Sequence, residues 1–385
     1  REGGFITIAK TTGSAARVIL PSGEELPIVR RGAATINEQV DIIERFVTPD
    51  VEALVVECMA VNPIYQRYAQ ETIVRSDVTI ITNVRYDHQE LMGETLEQIA
   101  DSMSVTIPAG GVLITAEERP ALRQRLAENA GRRGATVRFA DADSVTDADM
   151  AGFEYVEFRA NVAIGFELAD LLGIEREVAL RGMWKTVPDI GALRLSSFEI
   201  RGKDVLWVPL FAANDRESVV SILEMLKPQL SGRATIGVLN NRADRGRRAQ
   251  LFAEMAAGEL MPFLDHVITF GAFERLVTDQ MVARGFPAAR ITNLGDSVEP
   301  TLDDILDTVA RLLPGQRGAL IGLVNIHTPQ AEMLLHHVSG AAPDADPEAA
   351  ELAMSRESRR LPRAVRRHRS AVARTARPVP VLDDA

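Results

Sequence analysis

A single cysteine in 385 residues, Cys58, is too few for an internal disulfide framework or a cysteine zinc site, which fits a reducing, cytoplasmic setting. No apolar run reaches the length of a membrane span. The start, Arg1-Glu2-Gly3-Gly4, has neither a secretory leader nor an initiator methionine, so the expectation is a chain that begins inside a longer reading frame. A phosphate loop is lacking as well. Lys10-Thr11-Thr12-Gly13-Ser14 follows a short strand at Phe5–Ala9, but no glycines stand before Lys10 at the Gly-x-x-x-x-Gly-Lys-Ser/Thr spacing that lets backbone N–H groups approach phosphates. The formal charge of -11 argues against general nucleic-acid binding, and no repeat recurs at solenoid periods.

What is present is an ordinary apolar fraction and a length that predicts two globular units. Strand-like and helix-like segments alternate. Glu38–Phe46 reads as an amphipathic helix with Val40, Ile43 and Phe46 on one face, and Val51–Cys58 as a buried strand. A polar helix over 63–75, a strand at 78–84, a helix at 94–103, a strand at 110–115, a helix at 119–129 and a strand at 135–139 follow. Another helix opens near Phe158 and ends near Gly173. This alternation predicts an α/β fold with a parallel central sheet covered on both faces. Pro188-Asp189-Ile190-Gly191-Ala192-Leu193 is the expected hinge, and a second βα series after it predicts a smaller Rossmann-like α/β domain. The expected division is 1–190, 191–338 and a tail at 339–385. In that tail Arg359, Arg360, Arg363, Arg366, Arg367 and Arg369 stand among few apolar residues, a composition that predicts disorder, with solubility or contact with anionic lipid as its role.

Four places carry chemistry. Val78-Thr79-Ile80-Ile81 suits a strand buried on both faces, and its continuation, Thr82-Asn83-Val84-Arg85-Tyr86-Asp87-His88-Gln89-Glu90-Leu91-Met92-Gly93, lies where open α/β sheets bind ligands, outside the carboxyl end. Glu57, ending the preceding strand, reads either as a metal ligand or as a polar anchor, because a carboxylate there is costly unless paired. Asn161 reads equally as a helix cap. Arg242 and Arg245 can clamp carboxylate or phosphate bidentately, whereas Arg247 and Arg248 read as solvated surface.

The stretch from Thr82 to Gly93 resembles the Thr-Asn-x-x-x-Asp-His-x-x-x-x-Gly motif of the Mur ligase superfamily. Val55-Val56-Glu57-Cys58-Met59-Ala60-Val61-Asn62-Pro63 and Thr106-Ile107-Pro108 narrow the resemblance to the poly-gamma-glutamate synthase ligase subunit (CapB/PgsB type), over most of residues 5 to 330. The resemblance implies a Mur-ligase-like central ATP-binding domain whose Walker loop lies upstream of Arg1, so that this chain alone has little activity. It implies ATP and Mg2+ as cofactors, with Glu57 and His88 on metal, Asn83 and Asp87 ordering the loop, and Asn161 and Asn214 bordering the nucleotide. Lys10, Thr11, Thr12 and Arg245 fall on the substrate side, and Arg242 joins Glu57 and His88 in catalysis. Phe211–Asp215 resembles the motif that opens the superfamily's last domain, and Asn240–Arg245 looks like the family's Asn-Asn-Arg-x-Asp-Arg. Where many Mur ligases carry an acidic residue, this chain has Leu210 after Pro209. The implied reaction polymerises glutamate into poly-gamma-glutamate through an acyl phosphate, with glutamate and the growing chain as partners. Membrane subunits of a synthase complex are further implied partners, placing the chain at the inner face of the membrane. Left open are another amide ligase of the superfamily, acting on folate or a peptidoglycan precursor, and a non-catalytic nucleotide-binding or assembly subunit. A GTPase base-reading motif is a weaker match, since Asn83 and Asp87 lack its lysine and spacing.

Overall fold

A computed structural model describes residues 1–12, 16–30, 34–186, 193–211, 213, 215–295, 300–325 and 328–339. Asn214, most of the expected hinge and nearly all of the expected tail lie outside these residues. Among the described residues no helix is long and apolar enough to cross a membrane.

The first lobe runs β1 (Thr7–Lys10), β2 (Arg17–Ile19), β3 (Glu25–Pro27), α1 (Asn37–Phe46), β4 (Ala53–Val56) and α2 (Pro63–Tyr68), which continues into a π-helical turn at Ala69–Val74. It goes on through β5 (Val78–Ile81), α3 (Gln89–Met92), α4 (Leu96–Ser104), β6 (Val112–Thr115), α5 (Pro120–Arg132), β7 (Thr136–Phe139), α6 (Asp147–Met150), α7 (Arg159–Leu171) and α8 (Arg176–Trp184). The strands form two hydrogen-bonded ladders rather than one sheet. One has the order β3-β2-β1-β4, with β1 parallel to β4 and antiparallel to β2; the other is the parallel set β5-β6-β7. The β2–β3 hairpin is unforeseen, since its strands are too short to show a period. β4 and β5 each end a ladder and leave apolar side chains in solvent, Val55 at 51% and Ile80 at 41% exposure.

The β5–β7 sheet is covered on both faces. Leu113 packs with Ile81, Ile99, Leu122 and Leu126 under α4 and α5, while Ile114 packs with Val162, Ile164 and Leu180 under α7 and α8. That alternation is the pleat of a doubly buried strand, and each such side chain contributes about 1.5–3 kcal/mol. In α1 the buried residues are Gln39, Ile42 and Phe46, so the expected face of Val40, Ile43 and Phe46 is turned by about one residue. The cause is a second neighbour: Ile42 and Phe46 meet the first ladder, α1 also packs on the π-helical turn, and Gln39 donates to the Glu57 carbonyl at 3.4 Å.

The second lobe comprises β8 (Ser196–Ile200), β9 (Lys203–Pro209), α9 (Arg216–Met225), α10 (Lys227–Leu230), β10 (Ala234–Asn241), α11 (Gly246–Ala257) and β11 (His266–Gly271). It closes with α12 (Glu274–Ala283), β12 (Ile291–Asn293), α13 (Leu302–Leu312), β13 (Arg317–Leu323) and α14 (Pro329–Ser339). Its sheet has the order β12-β11-β10-β13-β9-β8, parallel except for β8. Leu239, Val208 and Ile321 face the core shared with α9, α11 and α12, whereas Ile236, Val238 and Leu320 face α13 and α14.

Candidate active site

The carboxyl ends of β1 and β4 bring the Lys10-Thr11-Thr12 segment to Glu57. The Thr12 N–H donates to Glu57 Oε2 at 2.6 Å and the Glu57 N–H to the Lys10 carbonyl at 3.0 Å, so the exposed carboxylate is steadied through one oxygen. Lys10, expected on the substrate side, is instead a brace. Its side chain is 0% exposed and its ammonium lies 2.8 Å from Glu38 Oε1, because a buried cation requires a partner. Arg30 reaches the same carboxylate through Nε at 2.6 Å and Nη2 at 3.0 Å. Burial by itself would raise the Glu38 carboxyl; hydrogen bonds from Arg30 and Lys10 outweigh it and leave the group below its ordinary value. The Thr11 hydroxyl accepts from the Arg17 N–H at 3.0 Å, and the Thr12 hydroxyl from Arg30 at 3.4 Å.

The loop after β5 turns sharply. His88 has φ 48, a left-handed conformation that histidine tolerates better than most residues, and Asp87 Oδ1 accepts the His88 N–H at 2.9 Å. The ring is half-exposed, with Nε2 3.8 Å from Asp87 and Nδ1 3.6 Å from Glu90. Gly93 closes the motif at φ +121, where a Cβ would stand 2.4 Å from the Gln98 Cβ; only glycine fits. Asn83 is half-buried just beyond the strand.

Beneath this loop sits a group that sequence reasoning missed. Glu117, beyond the end of β6, is 1% exposed. It accepts the Val84 N–H at 2.8 Å and the Arg119 N–H at 3.0 Å, and it holds Arg119 side on through Nε at 2.7 Å and Nη2 at 2.9 Å. Arg119 also donates to the Val84 carbonyl. Burial pushes the Glu117 carboxyl up, but the Arg119 guanidinium and the two backbone donors pull harder, and the net shift is downward.

The two lobes meet across these strand ends. Arg85 lies 3.3 Å from Asp215 Oδ1 and donates to the Ser218 hydroxyl, while Arg119 reaches Glu217 at 3.4 Å. Asp215 caps α9 by accepting the Ser218 N–H at 2.9 Å. Arg247, more exposed, stands 3.9 Å from Glu90.

The remaining expected residues are more scattered. Arg242 is bidentate to Asp244, at 2.9 and 2.8 Å, and Arg245 lies 3.7 Å from the same carboxylate. Asn161, exposed in the first turn of α7, donates to Glu157 at 2.8 Å rather than capping the helix. Arg248 is not the solvated side chain expected: it is half-buried, and burial followed by Arg245 holds its guanidinium below the ordinary range. Among the described residues no three His, Cys, Asp or Glu side chains converge as a metal cage. Glu57 and His88 are therefore separate, sparse donors. That set suits a hard cation that fills its shell with water and phosphate oxygens, and does not suit tetrahedral zinc.

The fold is that of the Mur-type ligases. The chain superposes on Mycobacterium tuberculosis folylpolyglutamate synthase complexed with ADP with a TM-score of 0.59 and 15% identity, covering 89% of this chain and 86% of that one. MurF from Acinetobacter baumannii gives a TM-score of 0.53 and 15% identity, covering 76% and 66%. A bifunctional folylpolyglutamate synthase/dihydrofolate synthase from Yersinia pestis, complexed with AMPPNP and Mn ion, gives 0.56 and 14%, covering 87% and 83%. In sequence, residues 195–341 match the poly-gamma-glutamate synthase CapB C-terminal domain. The capsule biosynthesis protein CapB of Bacillus anthracis is 32% identical over 350 residues, 88% of this chain and 73% of that protein. The PGA synthase CapB of Bacillus subtilis (strain 168) is 32% identical over 335 residues, 85% and 81% respectively. The chain belongs to the poly-gamma-glutamate synthase CapB family.

Proposed function

We propose that the chain is an ATP-dependent amide ligase that polymerises glutamate into poly-gamma-glutamate through an acyl phosphate. Family membership supports this, and the observation that carries it is the placement of the Asn83–Gly93 loop against the start of the second lobe through Arg85–Asp215 and Arg119–Glu217. Joining an amine to a carboxylate in water requires a better leaving group on the carboxylate. ATP with Mg2+, when bound, supplies the phosphoryl group and screens its charge.

The chain's own residues position and exclude. Glu57, oriented by the Thr12 N–H, offers its second oxygen to one metal ion. His88, thrown outward by its left-handed backbone, offers a ring nitrogen to another, with Asn83 and Asp87 shaping the turn. Asn161 would border the nucleotide. Thr11 and Thr12 lie on the acceptor side, and Arg242 and Arg245 meet anionic substrate as the lobes close. Closure excludes water from an intermediate that would otherwise hydrolyse. Residues 1–190 and 191–338 act in this scheme as the two closing domains, with membrane subunits of a synthase as partners at the cytoplasmic face.

The test is oxygen transfer. With ATP and acceptor labelled in its carboxylate oxygens, the full-length enzyme should place label in inorganic phosphate and release ADP. Label in AMP with release of pyrophosphate would return the protein to the adenylating ligases.

A further inference from the structure

Past Val56 the first ladder stops steering the chain. The Glu57 N–H still meets the Lys10 carbonyl at 3.0 Å, but among the described residues none of the N–H groups of Cys58, Met59, Ala60 and Val61 is hydrogen-bonded. Within that segment the Cys58 thiol reaches the Ala60 carbonyl at 3.8 Å. β4 ends its ladder, so among the described residues no further strand supports the segment from the other side. The chain is anchored again at Asn62, which caps α2 by accepting the Ile64 N–H at 2.9 Å. Between Glu57 and Val61 its course is therefore set from outside.

Two buried glutamines set it. Gln39, in the first turn of α1 and 1% exposed, donates through Nε2 to the Glu57 carbonyl at 3.4 Å; Gln66, in α2 and 5% exposed, donates through Nε2 to the Val61 carbonyl at 2.9 Å. Each keeps its own amide oxygen buried with no hydrogen-bond partner. A buried acceptor without a donor is destabilising, and a methionine of similar volume would fill either place without one. Packing alone does not call for glutamine. In α1 the amide even displaces the apolar pattern, since Gln39 faces inward while Val40 is left half-buried. What the two side chains share is an amide N–H on a carbonyl, one at each end of the Glu57–Val61 segment.

We propose that Gln39 and Gln66 are positioning residues for the metal-binding carboxylate, holding the main chain so that the Glu57 oxygen not taken by the Thr12 N–H faces the metal ion. The assignment rests on the ligase reading, which gives Glu57 its metal. Hydrogen bonds that orient a metal ligand are worth about ten- to a hundredfold in metal affinity. Gln39 holds the backbone of the ligand residue rather than its carboxylate, and at a long distance, so the low end applies.

The experiment is titration of the full-length enzyme with Mn2+, followed by its electron paramagnetic resonance in the presence of a non-hydrolysable ATP analogue. Gln39→Met should weaken the Mn2+ site that Glu57→Gln abolishes by about tenfold, and Gln66→Met, at the far end of the segment, by less. Affinity for the analogue without metal should stay within about twofold. In urea both variants should hold or exceed the wild-type midpoint, because each removes an orphaned acceptor from the interior. Mn2+ that remains bound in Glu57→Gln should be indifferent to Gln39→Met, since the glutamine acts through Glu57. Unchanged Mn2+ affinity with a lowered urea midpoint would make both glutamines structural and overturn the assignment; so would an equal loss of affinity once Glu57 is replaced. Gln39-dependent Mn2+ binding in an enzyme that transfers no label to phosphate would instead leave the assignment standing and remove the ligase reading.

Discussion

Replacing Glu117 by alanine tests whether the active-site loop is held from below. The carboxylate is 1% exposed and takes four hydrogen bonds, two from backbone N–H groups and two from Arg119. Its loss orphans the Val84 N–H in a fully buried setting, at about 1–3 kcal/mol. It also strips Arg119 of its main partner, and breaking a buried pair from one side costs about 3–5 kcal/mol. The Arg119 side chain keeps 36% exposure and its contacts to Val84 and Glu217, so the lower end, about 3 kcal/mol, is the expected loss. Arg119→Ala should cost at least as much, because it leaves the buried carboxylate with backbone donors alone. Of the two tryptophans, Trp184 lies in the first lobe and Trp207 in the second, so urea unfolding followed in a Trp207→Phe background reports the first lobe. The folded-state carboxyl is depressed, so its contribution is full above the ordinary value of 4.5 and fades as pH falls below it toward the folded value. The gap between wild type and Glu117→Ala should therefore be widest near neutrality and close in acid. A loss under about 1 kcal/mol, or a gap that does not narrow in acid, would refute the reasoning.

Three further outcomes follow from the same geometry. Lys10→Met should lower the urea midpoint by about 3 kcal/mol equivalent, since Glu38 keeps only Arg30; an unchanged midpoint would mean the ammonium reaches water. His88→Ala should abolish metal-dependent ligation in the full-length enzyme with stability altered by no more than about 0.5 kcal/mol, as expected of a half-exposed side chain with only long ionic contacts; cooperative unfolding at a much lower temperature would make it structural. Arg85→Ala should cost less than about 1 kcal/mol yet broaden the interlobe distance distribution between spin labels, as high salt should in the wild type; an unchanged distribution would show that other contacts set the lobe geometry.

The sequence shows most of the elements because apolar period and turn residues are local signals. β6, β7 and the helix at Arg159–Leu171 fall within a few residues of expectation. The β2–β3 hairpin and the antiparallel β8 escaped because strands of three to five residues carry little pattern. Glu57 does stand at the end of β4, and Asp87 and His88 in the loop after β5, but what holds them in place was illegible. Lys10 looked like a substrate residue because its neighbours resemble a binding segment, and its pairing with Glu38 depends on a contact made 28 positions away in the chain. Glu117 was within reach: the rule that singled out Glu57, a carboxylate just past a buried strand, applies equally to Glu117. Arg248 was read as solvent-facing because arginines crowd that stretch, and only the packing of α11 on β10 reveals which of them turns inward.

The outer flanks of β4 and β5 bear on how the isolated chain behaves in solution. Each presents a row of backbone donors and acceptors with no neighbouring strand among the described residues, and Val55 and Ile80 stand uncovered beside them. Such a flank is a template on which an extended peptide of any origin can build, since main-chain pairing does not consult sequence. Another copy of the protein is the nearest source at high concentration. Self-association should therefore begin at this seam, and a lysine at position 55 or 80 should hold the protein dispersed where the natural residues do not.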